Sequence, residues 1–215
     1  PMAAYFFVVV AALLLHAGGT LMTLLRLLAG ISPIMFLRKV RTPQIFAFST
    51  ASSNATIPVT LRAAEKRLGV DNPTASFVVP FGATINMDGT AIMQGVATIF
   101  VANVYAIDLG IGGYLTVIGM AVLASIGTAG VPGVGLIMLA MVFTQVGLPV
   151  EGIALIMGVD RLLDMMRTAV NVTGDLTITS IVAKSEGCLD EAIFEDPHAG
   201  DVEEIHLPHL EAKAD

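Results

Sequence analysis

Charged side chains are missing from long stretches of this chain, and those gaps outline its helices. Residues 1–25 contain no Asp, Glu, Lys or Arg, and roughly 20 apolar residues suffice for a helix to cross the hydrocarbon core of a bilayer. They predict a transmembrane helix over residues 1–30. A second charge-free stretch, Gly89 to Ile107, belongs to a span predicted over 74–107. A third, 42 residues long, runs from Leu109 to Val150 and is broken at its centre by Ala124-Ser125-Ile126-Gly127-Thr128-Ala129-Gly130-Val131-Pro132-Gly133. Its apolar flanks, about 15 residues each, are short for a full crossing. Residues 109–150 therefore read as a re-entrant hairpin whose tip lies in protein or a water-filled cavity, because irregular backbone does not face lipid.

Residues 31–70 repeat the design in more polar form. Thr42 to Leu61 lack charge and carry Ser49-Thr50-Ala51-Ser52-Ser53-Asn54-Ala55-Thr56-Ile57-Pro58, small and polar residues followed by a proline. Aligning Pro58 with Pro132 superposes the two tips. Each hairpin is followed by a spanning candidate, 74–107 after the first and 151–184 after the second. Paired interrupted segments of this kind point to an inverted-repeat transporter with its site near the bilayer midplane. The expected fold class is all-α and integral to the membrane.

Charge supplies an orientation. Seven of the eleven Lys and Arg residues fall between Arg26 and Arg67, which places both bases of the first hairpin on the cytoplasmic side by the positive-inside rule. The second hairpin, bounded by Asp108 and Glu151, then opens on the outer face. The composition, 55% hydrophobic and 13% charged, argues against a soluble globule, where about 25% of residues are charged. The net charge of −7 is local: residues 186–215 hold ten carboxylates against Lys213. Residues 185–215 are expected to form an acidic, disordered cytoplasmic tail, in which His198, His206 and His209 read as solvated. There is no basic stripe for nucleic acid, and the single Cys188 cannot form an internal disulfide. The Pro1-Met2 start has no signal-peptide pattern, and the chain is expected to be part of a longer protein.

Ionisable residues inside spans are functional candidates, since an Asp or Arg at a helix centre costs about 2.5–3.5 kcal/mol on insertion scales. The last span holds Asp160, Arg161, Asp164, Arg167 and Asp175. At about 100° per residue, Asp160, Asp164, Arg167, Thr168, Asn171 and Asp175 share one face. Asp164 and Arg167 offer the two halves of a zwitterion site, an acceptor for ammonium and a forked donor for carboxylate. Asp175 and Asn171 offer hard oxygen ligands for a small cation. The competing reading is a set of buried salt bridges, Asp164 with Arg167 or Asp160 with Arg161. In the preceding span, Gly82-Ala83-Thr84-Ile85-Asn86-Met87-Asp88-Gly89-Thr90 sits between apolar runs. A continuous helix would point Asn86 and Asp88 about 200° apart, whereas an unwound turn would let them converge on one ion. A capped helix end at a membrane surface is the alternative. Neither a His-x-x-x-His spacing nor a Gly-x-Ser-x-Gly elbow occurs, so no enzymatic chemistry is expected. A channel-like or structural membrane subunit remains a competing class.

The Asn86-Met87-Asp88-Gly89-Thr90 core, the serine-rich first tip, the Gly127–Gly133 second tip and Asp164 through Asp175 together resemble the dicarboxylate/amino acid:cation symporter family, over about residues 1–185. The resemblance implies an elevator-type transporter with two re-entrant hairpins and a broken transmembrane helix, homotrimeric in the full-length protein, multi-pass in a prokaryotic inner membrane, with its C-terminus cytoplasmic. It implies that Ser52, Ser53, Thr90, Val131, Gly135, Asp164, Arg167, Thr168 and Asn171 surround an acidic amino acid, with Asp164 taking the α-amino group and Arg167 the side-chain carboxylate. It also implies co-transported Na+ and no organic cofactor. Sodium sites are implied at Gly82, Asn86, Asn171 and Asp175, at Thr84, Ser125, Ile126 and Thr128, and at Asn86 with Asp88. Asp at 164, Arg at 167 and Asp at 175 favour sodium-coupled aspartate or glutamate uptake over a proton-coupled C4-dicarboxylate symporter. Ala51 stands where some members carry Arg, and Arg161, beside Asp160, is a candidate to replace that guanidinium.

Overall fold

The computed structural model describes residues 2–201, and those residues form helices with no named strand among them. Helix α1 (Met2–Leu15) continues through a π-helical segment (His16–Leu21), one α-turn, α2 (Met22–Leu24), and a second π-helical segment (Leu25–Ala29). The result is one unbroken helix, Met2–Ala29, long and apolar enough to cross a membrane. Gly30, at φ +69°, ends it.

Two pairs of packed helices flank a central pair. In the first, α3 (Pro33–Lys39) leads into α4 (Arg41–Thr50), which breaks at Ala51 and Ser52 before α5 (Ser53–Lys66). The Ser52 hydroxyl caps α5 by accepting from the Ala55 amide. Ala51 takes a left-handed φ of 51°, a conformation that costs a residue with a Cβ roughly 1–2 kcal/mol. In the second hairpin, α8 (Gly110–Ile126) and α9 (Val134–Gln145) pack together around residues 127–133. At 1.5 Å per residue these four arms run from about 15 to about 26 Å, short of the roughly 30 Å hydrocarbon core.

Between the hairpins, α6 (Asn72–Ile85) and α7 (Asp88–Val104) are separated by Asn86 and Met87. The last span begins with a 3₁₀ segment (Val150–Leu155) and continues as α10 (Met157–Ser185), which packs against α4, α5, α6 and α7. Two apolar clusters form the core, and α10 feeds both. Leu163 and Val170 join Tyr5, Met93, Val101 and Phe143 in one, while Val172, Leu176 and Ala183 join Leu25, Phe36, Val79 and Phe194 in the other. Many large apolar side chains face outward, among them Phe7, Leu15, Leu27, Phe77, Ile111 and Ile137. Exposed apolar surface on this scale belongs against lipid or protein.

Residues 186–201 depart from the expected disorder. A short helix, α11 (Glu191–Glu195), folds back so that Phe194 is buried in the core and Leu189 bridges Val70. The reason is Lys39. Its ammonium, almost fully buried, donates to the carbonyls of Arg67, Ile193 and Asp196, each at 2.7 Å. Burial draws its pKa below the usual lysine value, with the Asp196 carboxylate opposing. Further pairs, Arg67 with Asp201 and Lys184 with Glu191, close the hook. His198 is exposed and lies 3.2 Å from Asp201. His206, His209 and the rest of the expected tail lie outside the described residues. Lys39→Met removes the donor from three carbonyls, and an unsatisfied buried acceptor costs about 1–3 kcal/mol. The expected outcome is a lower melting temperature in the detergent-solubilised full-length protein, with faster proteolysis after residue 186; unchanged values would show that the hook does not hold the hairpin base.

Candidate functional site

The two hairpin tips meet at the middle of α10. The Ser52 hydroxyl donates to the Gly130 carbonyl at 2.7 Å, and the Asn54 amide donates to the same oxygen at 3.0 Å. Gly130 has no room for a side chain: a Cβ there would lie 2.6 Å from Asn54 Oδ1 and 3.1 Å from the Ala83 carbonyl. Beneath the tips is a cavity of ≈ 20 Å³ lined by Ser53, Thr90, Val131, Gly135, Asp164, Thr168 and Asn171, with Ala51, Met87, Thr128, Ala129 and Gly130. That volume is about one water molecule's worth, far below that of an amino acid.

Arg167 lies beside the cavity, against Asp164 and Gly135 of its lining. Its side chain is 1% exposed, and Nη2 donates to Asp164 Oδ1 at 2.8 Å and lies 3.5 Å from Asp160 Oδ1. The other Asp164 oxygen accepts from the Gly133 amide at 3.0 Å, so one carboxylate ties α10 to the second tip. Gly135 lies against the guanidinium, 3.2 Å separating its notional Cβ from Nη1. Arg167 Nε and Nη1 are buried without a hydrogen-bond partner among the described residues. All nine residues expected around the substrate are thus at or beside one cavity. The salt-bridge reading is also realised for Asp164 and Arg167. Asp160, by contrast, faces Arg167, and Arg161 is exposed and outside the cavity lining.

The broken span supplies a second polar layer. Asn86 Nδ2 donates to Asp175 Oδ1 at 2.9 Å. Gly82 makes space for that carboxylate, since a Cβ there would lie 2.6 Å from Asp175 Oδ1. Asn171 Oδ1 accepts from the Gly89 amide at 2.7 Å, and its Nδ2 faces Met87 Sδ at 3.4 Å. Gly82, Asn86, Asn171 and Asp175 therefore lie along the facing sides of one break and one helix. The other expected cation positions are looser. The hydroxyls of Thr84, Ser125 and Thr128 each donate to a carbonyl of their own segment, Pro80, Val122 and Ala124, and Ile126 is exposed. Asn86 and Asp88 do not converge. The backbone is unwound as expected, yet Asn86 turns to Asp175 while Asp88 turns to His16 Nε2 at 3.0 Å. Among the described residues no three His, Cys, Asp or Glu side chains cluster as metal ligands.

Sequence reasoning passed over three polar residues near these groups, His16, Tyr5 and Gln94. His16 lies inside the first span, where counting only Asp, Glu, Lys and Arg leaves it unseen. Tyr5 Oη, both amide atoms of Gln94 and Asp160 Oδ1 are buried with no partner among the described residues. Gln94 was legible as Thr90 plus one turn; Tyr5 gave no signal beyond a polar tip in an apolar run.

The sequence pattern of the Sodium:dicarboxylate symporter family matches residues 1–185. A rat protein named Excitatory amino acid transporter 4 is 44% identical over 171 residues, 80% of this chain and 30% of that protein. The Caenorhabditis elegans Excitatory amino acid transporter is 44% identical over 181 residues, 84% of this chain and 36% of its own length. The human Excitatory amino acid transporter 2 is 43% identical over 185 residues, 85% and 32% respectively. The chain thus spans about a third of the length of these relatives.

Gly82→Ala places a methyl group against the Asp175 carboxylate. Overpacking of this kind costs typically about 1–3 kcal/mol. The variant is expected to melt at a lower temperature; a melting temperature within error of the parent would show that the Asp175 side chain has room to move aside.

Proposed function

The chain belongs to the sodium:dicarboxylate symporter family, and from that premise we propose that the full-length protein is a secondary active symporter taking up aspartate or glutamate together with sodium ions. One observation carries the substrate class: a buried guanidinium with two unpartnered donors beside a buried carboxylate, under two hairpin tips. A carboxylate accepts from the free Nε or Nη1 of Arg167, with the remaining Nη2 hydrogen completing the fork, without breaking the bond to Asp164. An α-ammonium lies against Asp164, whose second oxygen already carries the Gly133 amide. Ser52, Ser53, Thr90, Val131, Gly135, Thr168 and Asn171 then surround the backbone of the amino acid. With ≈ 20 Å³ beneath the closed tips, entry requires the Ser52–Gly130 and Asn54–Gly130 contacts to part.

On this reading the short hairpin arms are re-entrant, and α1 through α10 form most of a transport domain that moves past a trimeric scaffold as an elevator. The membrane is a prokaryotic inner membrane, with the acidic C-terminus cytoplasmic. Sodium binds at Asp175, Asn86, Asn171 and Gly82, at Thr84, Ser125, Ile126 and Thr128, and at Asn86 with Asp88 once those two side chains turn from Asp175 and His16 toward each other. The relatives' printed names, excitatory amino acid transporters, support the amino acid class. The competing substrate, a C4-dicarboxylate carried with protons, would set a second carboxylate beside Asp164, a like-charge contact that costs energy in a buried site.

Reconstituted full-length protein is expected to accumulate labelled aspartate when a sodium gradient is imposed. Equal uptake driven by a proton gradient in sodium-free buffer would overturn the coupling. Hydrogen bonds to charged groups contribute about 1.5–3 kcal/mol each, so Arg167→Cys should weaken aspartate binding at least about a hundredfold while sparing some neutral amino acid binding. Retained aspartate affinity would remove Arg167 from its assigned role.

A further inference from the structure

Where the first span stops, charges of both signs line one cavity of ≈ 300 Å³. Arg26, in the π-helical segment that ends the span, and Lys184, in the last turn of α10, supply two cations. Glu191 and Glu195 of α11 supply two anions, and Ser32 lies among them. Lys184 is paired with Glu191, whereas Arg26 and Glu195 make no ion pair among the described residues. The one side-chain bond of Arg26 there runs from Nη1 to the Gly30 carbonyl at 2.9 Å, which leaves the Nε and Nη2 fork open. The Ser32 hydroxyl, at the start of α3, makes no capping bond.

Position matters as much as charge. Among the described residues Met2–Ala29 is the one helix long and apolar enough to cross a membrane, and Gly30 ends it, so the cavity opens at the level of the lipid headgroups. Leu27, Leu28 and Ile34, in the segments that carry Arg26 and Ser32, are 75%, 63% and 68% exposed. They form an apolar rim for acyl chains. An arginine fork matches the oxygens of a phosphate, and basic pockets between helices at the membrane surface hold phosphate headgroups. The two glutamates decide which headgroup. Two cations and two anions leave the cavity with no net charge, so a purely anionic headgroup meets as much repulsion as attraction. A headgroup with both a phosphate and an ammonium meets Arg26 at one end and Glu195 at the other.

We propose that this cavity binds the headgroup of a zwitterionic phospholipid, a phosphoethanolamine, with the phosphate on Arg26 Nε, Nη2 and the Ser32 hydroxyl and the ammonium on Glu195. The paired Lys184 and Glu191 form a neutral wall beside it. A bound headgroup then joins the end of the first span, the start of the first hairpin and the hook at α11. The site needs a bilayer around the first span and is independent of the substrate and the coupling ion. A choline headgroup, whose quaternary nitrogen has no hydrogen to donate to Glu195, binds less well.

The test uses full-length protein in detergent. Mixed micelles carrying phosphatidylethanolamine, phosphatidylcholine or phosphatidylglycerol are added, the rise in melting temperature is followed against lipid concentration, and retained lipid is identified by native mass spectrometry. The parent should be stabilised most by phosphatidylethanolamine and should retain it. Arg26→Ala and Glu195→Gln should each raise the half-maximal lipid concentration about fivefold, the loss expected for one charged contact at a headgroup. Glu195→Lys, which leaves three cations and one anion in the cavity, should reverse the order in favour of phosphatidylglycerol. Arg62→Ala, outside this cavity, should leave the order unchanged. Should Arg26→Ala fail to fold, the two Glu195 variants decide alone. Equal stabilisation of the parent by phosphatidylethanolamine and phosphatidylglycerol, or an unchanged order in Glu195→Lys, overturns the site. Inorganic phosphate that stabilises as well as phosphatidylethanolamine assigns the cavity to a free anion and overturns the lipid. A parent that retains no lipid and gains no stability from any of the three overturns it as well, the cavity then being filled by water or by another span of the full-length protein.

Discussion

A guanidinium buried among membrane helices must have its counter-charge within reach, and the centre of this structure is arranged around that requirement. Arg167 is fully enclosed between Asp160 and Asp164 on its own helix. Stripping one partner from a buried pair costs about 3–5 kcal/mol, because the remaining charge is left in a poorly solvating interior. The spacing of 160, 164 and 167 brings both carboxylates to the guanidinium face of α10. The same need shapes the neighbours: Gly135 lets α9 approach the guanidinium plane, and the Gly133 amide uses the Asp164 oxygen that Arg167 does not. The arginine retains two unpartnered donors, so the cluster is held in place by charge and still has hydrogen-bonding capacity to give to a ligand.

Irregular backbone is the second constraint, and the two tips meet it jointly. Each hairpin ends in helix termini whose amides and carbonyls lack intrahelical partners. The Gly130 carbonyl takes both the Ser52 hydroxyl and the Asn54 amide, so an orphan acceptor of one tip satisfies two donors of the other. The contact is polar and made by a few groups. The strained Ala51 sits beside it. Backbone strain of this kind persists only where the surrounding contacts over-determine the conformation.

Much of this was legible in the sequence, for identifiable reasons. The hairpin breaks follow from Gly, Ser and Pro clusters in otherwise apolar runs, and the polar face of α10 follows from a helical period acting on six residues. Local chemistry also gave the unwinding at Asn86-Met87. What it could not give is where the freed side chains turn, because that depends on partners far along the chain. Asn86 faces Asp175 and Asp88 faces His16, 89 and 72 residues away. The hook at residues 186–201 was hidden for the same reason. Composition describes an acidic solvated tail, but the three carbonyls held by Lys39 and the place taken by Phe194 are tertiary facts. Arg161 erred in the opposite direction: adjacency in sequence to Asp160 suggested a pair, but neighbours on a helix point about 100° apart.

The two residues of the break and the one that follows face three different surroundings, and this links the two polar layers. Asn86 is bound to Asp175, Met87 lines the cavity beneath the tips and contacts Asn171, and Asp88 is bound to His16. Asn171 in turn holds the Gly89 amide. Arg167 and Asp175 are about 12 Å apart along a rigid helix, too far for direct contact. Met87 and Asn171 lie between the two positions. On the symporter reading, a cation that draws Asn86 and Asp175 together shifts Met87 at the wall of the substrate cavity. Coupling then requires only this short unwound segment packed against one polar helix face, and its strength is set by how tightly the flanking contacts at Gly82, Gly89 and His16 constrain the break.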